Sequence, residues 1–150
     1  ATGGNVLISG SYIGTDIWDR VYPVSIDSTF RAESAAFAGE VLGYKFVTGQ
    51  ASRRGIIRPA PASRLGEIPV LKITKEMNPR IYCVESPDGI SPAGKSGQTI
   101  YRYADSGISA GVATECNGYR CIALGFPIEA LSGQEMINSI IETSLEYFRK

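Results

Sequence analysis

The sequence predicts an α/β domain: one mixed sheet flanked by helices, with a mostly antiparallel β section inserted between its first and last units. Three observations carry that expectation. A short apolar strand runs into a glycine-flanked turn near the start, in the segment V-L-I-S-G-S-Y-I-G from Val6 to Gly14. A second apolar run, C-I-A-L-G-F-P-I-E from Cys121 to Glu129, opens onto a strongly patterned helix at the other end. Between them lie short strand-like segments punctuated by turn residues. The length of 150 residues suits a single domain spanning 1–150, and 43% hydrophobic residues suffice for one packed core.

The elements follow in order. Asn5 to Ser9 is a short apolar strand, followed by a polar stretch carrying Asp16, Trp18 and Asp19. From about Ser28 to Leu42 the spacing turns helical, with Phe30, Phe37 and Val41 on one face and Gly43 as the stop. Tyr44 to Thr48 reads as a strand. Gln50 to Leu65 reads as a long loop with an extended piece at Ile56-Ile57, because Pro59 and Pro61 oppose regular structure there. That loop holds Arg53, Arg54, Arg58 and Arg64, which fit either a solvated surface or an anion-binding loop. Val70 to Thr74 and Arg80 to Glu85 read as strands, Pro87-Asp88-Gly89 as a turn and Ser91 to Gly97 as a loop.

Thr99 to Tyr103, Ile108 to Thr114 and Tyr119 to Leu124 complete the run of strands. Asn117-Gly118 is a strong hairpin signal. A two-residue turn there sets Cys116 opposite Tyr119 and Cys121 opposite Thr114, a diagonal and strained placement for a disulfide, so the cysteines are expected to be small buried hydrophobes. The last helix carries an S-x-x-E capping box at Ser132 and Glu135. Its apolar stripe, Met136, Ile137, Ile140, Ile141, Leu145 and Phe148, is expected to pack on the sheet.

Composition excludes several classes of function. The formal net charge of +0 gives no electrostatic reason to expect nucleic acid or an anionic membrane. No apolar run approaches the roughly 20 residues that span a bilayer. No basic segment followed by an apolar one marks a signal peptide, which a mature exported fragment would have lost. Three cysteines without a single histidine argue against a zinc site, and no metal or cofactor is expected.

Two segments resemble the halves of a hydrolytic site. Gly10-Ser11-Tyr12-Ile13-Gly14 and Phe126-Pro127-Ile128-Glu129 are similar to the catalytic motifs of class I glutamine amidotransferase-like domains, which have a flavodoxin-like α/β fold. That family places a cysteine in a glycine-x-cysteine-x-glycine elbow after one strand and a histidine-proline-glutamate run after another. The resemblance implies a triad in which a base activates the nucleophile and a third group orients the base. Here Tyr12 stands at the nucleophile position and Pro127 at the histidine position, while Glu129 is kept.

The chain resembles more closely a divergent branch of that fold found in secreted bacterial multidomain proteins labelled xanthan lyase-like, beside golvesin-type and fibronectin-like modules. The matching patterns are G-G-x-V-L-I-S-G-S-Y-I-G-T-D-x-W (Gly3 to Trp18), Y-C-V-E-S-P-D-G-I (Tyr82 to Ile90) and Y-R-C-I-A-L-G-F-P-I-E (Tyr119 to Glu129). The family has two or three βα units before the elbow strand, whereas this chain starts almost on it. The resemblance therefore implies a domain lacking its N-terminal βα units, with an exposed sheet edge open to self-association or to other domains of the same protein. It also implies an extracellular, periplasmic or cell-surface location.

The expected function is that of a catalytically degenerate module, glycan-binding or structural, in an exported polysaccharide-associated protein. Ser11, Tyr12, Asp16, Trp18, Asp19 and Glu129 are the candidate ligand-binding residues, at a strand-end rim where ligands collect in open α/β sheets. Glu85 and Asp88 could reach the same rim. The alternative is an enzyme. A serine hydrolase would use Ser11, but a base is missing. A polysaccharide lyase would use Tyr101-Arg102-Tyr103, but on a strand Tyr101 and Tyr103 share a face and Arg102 points the other way.

Overall fold

The computed structural model of the chain describes residues 4–18, 28–76, 79–116 and 118–150. Its elements are β1 (Val6–Ser9), α1 (Thr15–Trp18), α2 (Ser28–Phe37) continued by one π-helical turn (Ala38–Leu42), β2 (Tyr44–Thr48), β3 (Ile56–Pro59), β4 (Leu71–Lys72), β5 (Gly89–Pro92), β6 (Gly97–Tyr103), β7 (Ser109–Cys116) and β8 (Tyr119–Leu124). A 3-10 turn (Ile128–Ala130) and α3 (Gln134–Arg149) complete the chain.

A six-stranded mixed sheet runs in the order β1-β8-β7-β6-β3-β4, and β2 and β5 form a separate antiparallel pair. Only β1 and β8 are parallel within the six, aligned from Val6 opposite Cys121 to Ser9 opposite Leu124. The expected α/β architecture with a mixed sheet is therefore present, and the antiparallel section forms most of that sheet. β1 is an edge strand of the sheet.

Alternation along the strands distributes side chains between two cores. In β8, Ile122 and Leu124 face the larger core with α3, while Cys121 and Ala123 face the smaller core with Ala38, Leu42 and Tyr44. Leu7 and Ile8 of β1 divide in the same way. All four residues from Cys121 to Leu124 are fully buried, as expected of a strand covered on both faces. Ile122 and Leu124 each contribute about 1.5–3 kcal/mol by leaving water.

The β7–β8 hairpin has the register anticipated from Asn117-Gly118, with Cys116 opposite Tyr119 and Thr114 opposite Cys121. All three cysteines are free thiols: Cys83 exposed, Cys121 buried. The helix begun at Ser28 ends at Gly43, whose left-handed backbone returns its amide to the Ala38 carbonyl.

Several expectations are corrected. Arg80 to Glu85 forms no named strand, and the strand lies further on, at Gly89–Pro92, paired with β2. Gly, Ser and Pro are poor strand formers, but pairing with β2 and burial of Ile90 override local preference. Pro59 does not exclude β structure: it ends β3 opposite Tyr101, and Ala60 supplies the next amide, to the Ile100 carbonyl. The arginine-rich loop holds the chain's own carboxylate, since Asp105 accepts the amides of Arg53 and Arg54.

The capping box is also absent. Gly133 takes the N-cap position of α3 without a side-chain cap, because the backbone amide of Ser132 is drawn to the Lys72 carbonyl and Leu131 bridges Ile73. The buried face of α3 is rotated from the sequence stripe. Ile140, Ser144 and Tyr147 are buried, whereas Ile141 and Leu145 are 40% and 48% exposed. Ser144 tolerates burial because its hydroxyl donates to the Ile140 carbonyl at 2.6 Å. Among the described residues no helix is long and apolar enough to cross a membrane.

Burial and the neighbouring Cys116 push the Cys121 thiol up to about 12, so it stays protonated and shielded. Iodoacetamide is expected to modify Cys83 in the native chain and to reach Cys121 only on unfolding, as read by peptide mass spectrometry. Native-state labelling of Cys121 as fast as of Cys83 would contradict the hairpin's placement.

Candidate functional site

Parallel pairing of β1 and β8 fixes where both chain segments leave the sheet. The Gly10 amide donates to the Leu124 carbonyl at 3.2 Å, extending the ladder by one residue. Beyond it, β1 enters the turn 11–14 and then α1. β8 passes through Gly125, Phe126 and Pro127 into the 3-10 turn. The Ser11-Tyr12 turn and Glu129 therefore emerge at the same end of adjacent strands.

Asp88 locks that arrangement. It is fully buried, and its carboxylate accepts the Gly14 amide at 2.7 Å, the Thr15 amide at 2.8 Å and the Thr15 hydroxyl at 2.5 Å. Its backbone amide donates to the Gly125 carbonyl, and its carbonyl accepts the Tyr103 hydroxyl at 2.9 Å. A β-carbon on Gly125 would meet the Asp88 carbonyl oxygen at 2.2 Å, so no larger residue fits there. Burial pushes the Asp88 carboxyl above its ordinary range, and the donors from Thr15 and Gly14 pull it back. Asp88 is thus occupied inside the protein and does not reach the rim.

The rim itself holds four side chains. Ser11 is 4% exposed, and its hydroxyl has no hydrogen-bond partner of good geometry. The Tyr82 phenol lies beside it and donates to Glu129 Oε1 at 3.4 Å, a long contact. Tyr12 and Tyr82 are 47% and 50% exposed. Tyr82 was not among the residues singled out from sequence. Its only signal was its place in the Tyr82–Ile90 segment, because the contact with Glu129 spans 47 positions.

Burial and the Glu129 charge raise the Tyr82 pKa, and the nearby Ser11 hydroxyl lowers it. The phenol therefore stays protonated at neutral pH, as a donor and not a base. No imidazole stands beside Ser11 to activate it, since the chain contains no histidine. Pro127 is buried in extended backbone ahead of the 3-10 turn. Among the described non-glycine residues only Ala62 has positive φ, so Tyr12 carries no left-handed strain. Tyr101 and Tyr103 are fully buried on the inner face, with their pKa raised by burial, while Arg102 is exposed on the other. Neither phenol is placed to abstract a proton from a polymer.

The remaining sequence candidates divide. Asp16 is exposed and lines a cleft of about 530 Å³ between the Tyr12 turn and α2, together with Tyr12, Ile13, Phe30 and Phe37. Trp18 is partly buried against the smaller core; its ring stacks on Phe46 at 6.5 Å and meets Tyr44 edge-on at 5.9 Å. Glu85 is exposed. Asp19 lies outside the described residues. No group of carboxylates and cysteines among the described residues is arranged to hold a metal. Comparison with family models, curated proteins and solved structures finds no match to this chain.

Two stability outcomes follow. Asp88→Ala orphans three donors and is expected to cost about 3 kcal/mol in urea unfolding; a loss below about 1 kcal/mol would show that Asp88 does not hold the turn. Ser11→Ala removes an unsatisfied buried hydroxyl and is expected to raise unfolding free energy by about 1 kcal/mol. A decrease of that size would mean the hydroxyl has a partner in the folded chain.

Proposed function

We propose that this chain is a catalytically silent glycan-binding module of glutamine amidotransferase-like type, working within an exported polysaccharide-associated protein. The observation that carries the reading is the buried, unpartnered Ser11 hydroxyl beside Tyr82 and Glu129, flanked by two exposed tyrosines. An unsatisfied buried hydroxyl costs stability unless something else accepts or donates there. A sugar hydroxyl does both. The phenol rings supply apolar faces for pyranose stacking, each with a polar tip.

The motif resemblance supports the same reading, with Tyr12 and Pro127 at the nucleophile and histidine positions. The adjoining cleft, mostly apolar and of ordinary ligand-site volume, supports it further, because Tyr12 lies on both the rim and the cleft. Other domains of the parent protein, or a second copy pairing at the β1 edge, are the proposed protein partners.

Titration calorimetry against neutral, amino-bearing and uronate-bearing oligosaccharides tests the proposal. Tyr12→Ala and Tyr82→Ala are each expected to weaken glycan binding by about tenfold or more, with the circular dichroism spectrum retained. Absence of binding to the whole panel, or release of ammonia from glutamine, would overturn it.

A further inference from the structure

Glu129 stands exposed at the rim with the Tyr82 phenol as its hydrogen-bond partner, and among the described residues it forms no ion pair. Beside the same phenol lies the buried Ser11 hydroxyl, which can donate as well as accept. The site thus pairs an exposed carboxylate that only accepts with a buried hydroxyl in need of a partner. A second carboxylate, Asp16, lines the cleft on which Tyr12 borders.

We infer that the strand-end site formed by Ser11, Tyr82 and Glu129 selects sugars that offer hydroxyl or ammonium donors and discriminates against uronates. This rests on the glycan-binding reading above and adds a ligand class to it. A ligand hydroxyl bridging Glu129 and Ser11 donates to the first and accepts from the second, which satisfies both. An ammonium group donates to Glu129 and gains its full charge. A ligand carboxylate can accept from Ser11 and Tyr82, but it brings a second negative charge beside Glu129. The charge acting on the Tyr82 phenol points the same way, since Glu129 opposes further negative charge there.

The test uses three probes at mildly acidic pH and low ionic strength: a cello-oligosaccharide, a glucosamine oligomer with free amines and an oligogalacturonate. Each is titrated into the chain and into its Glu129→Gln variant, whose fold is checked by circular dichroism. The chain is expected to bind the amino oligomer roughly tenfold or more tightly than the uronate, with the neutral probe between. Added salt is expected to weaken the amino oligomer most. Glu129→Gln is expected to bring the amino and uronate affinities together, weakening the first and strengthening the second. Equal or stronger uronate binding by the unaltered chain overturns the inference while leaving the glycan-binding reading in place, as does a preference unchanged by Glu129→Gln. Failure of all three probes to bind removes that reading and the inference with it.

Discussion

The Asp88 side chain receives two amides and a hydroxyl from Gly14 and Thr15, while its main chain clasps Gly125 and the Tyr103 phenol. These contacts join the turn after β1, the entry to β5 and the exit from β8 at one buried point. A carboxylate without donors would be costly in that interior. With three donors it becomes a specific lock, because donors and acceptor meet in only one arrangement of the segments. The rim follows from this, since Ser11 and Tyr12 sit just before the held residues and Glu129 lies four positions past Gly125.

The same geometry supports the proposed binding role more than a hydrolytic one. A hydrolytic elbow needs a nucleophile, a nearby base at workable pKa and a group to orient that base. The rim offers a serine hydroxyl, a phenol kept protonated by burial and by Glu129, and a carboxylate, with no imidazole among them. What remains is a set of polar atoms with unused hydrogen-bonding capacity between exposed aromatic rings. The proposed binding of sugars with hydroxyl or ammonium donors rests on these atoms.

Much of the scaffold was legible along the chain. The β7–β8 register followed from Asn117-Gly118, the end of the α2 helical segment from Gly43, and the buried strand β8 from its unbroken apolar run. The meeting of the two motif segments at the rim was anticipated through resemblance and not through periodicity. Missed were the strand at Gly89–Pro92, whose composition argues against strand, and the N-cap at Gly133, where a backbone bond to Lys72 displaced a locally sound capping box. Tyr82 and the buried role of Asp88 were also missed, because each depends on residues dozens of positions away.

The sequence by itself determined the alternation that sorts β1 and β8 side chains between two cores, the turn chemistry, and the lack of an imidazole. These are short-range properties, set by side-chain period and by which residues tolerate a given backbone. Only the tertiary structure decided that Asp88 is an interior clasp and not a turn residue, that Trp18 packs on Tyr44 and Phe46, and that Ile141 and Leu145 face outward. It also decided that the Ser11 hydroxyl is enclosed beside Tyr82 with no hydrogen bond of good geometry. Burial and hydrogen-bond satisfaction are properties of which distant segments meet, as where Gly14 bonds Asp88 across 74 positions and Tyr82 bonds Glu129 across 47.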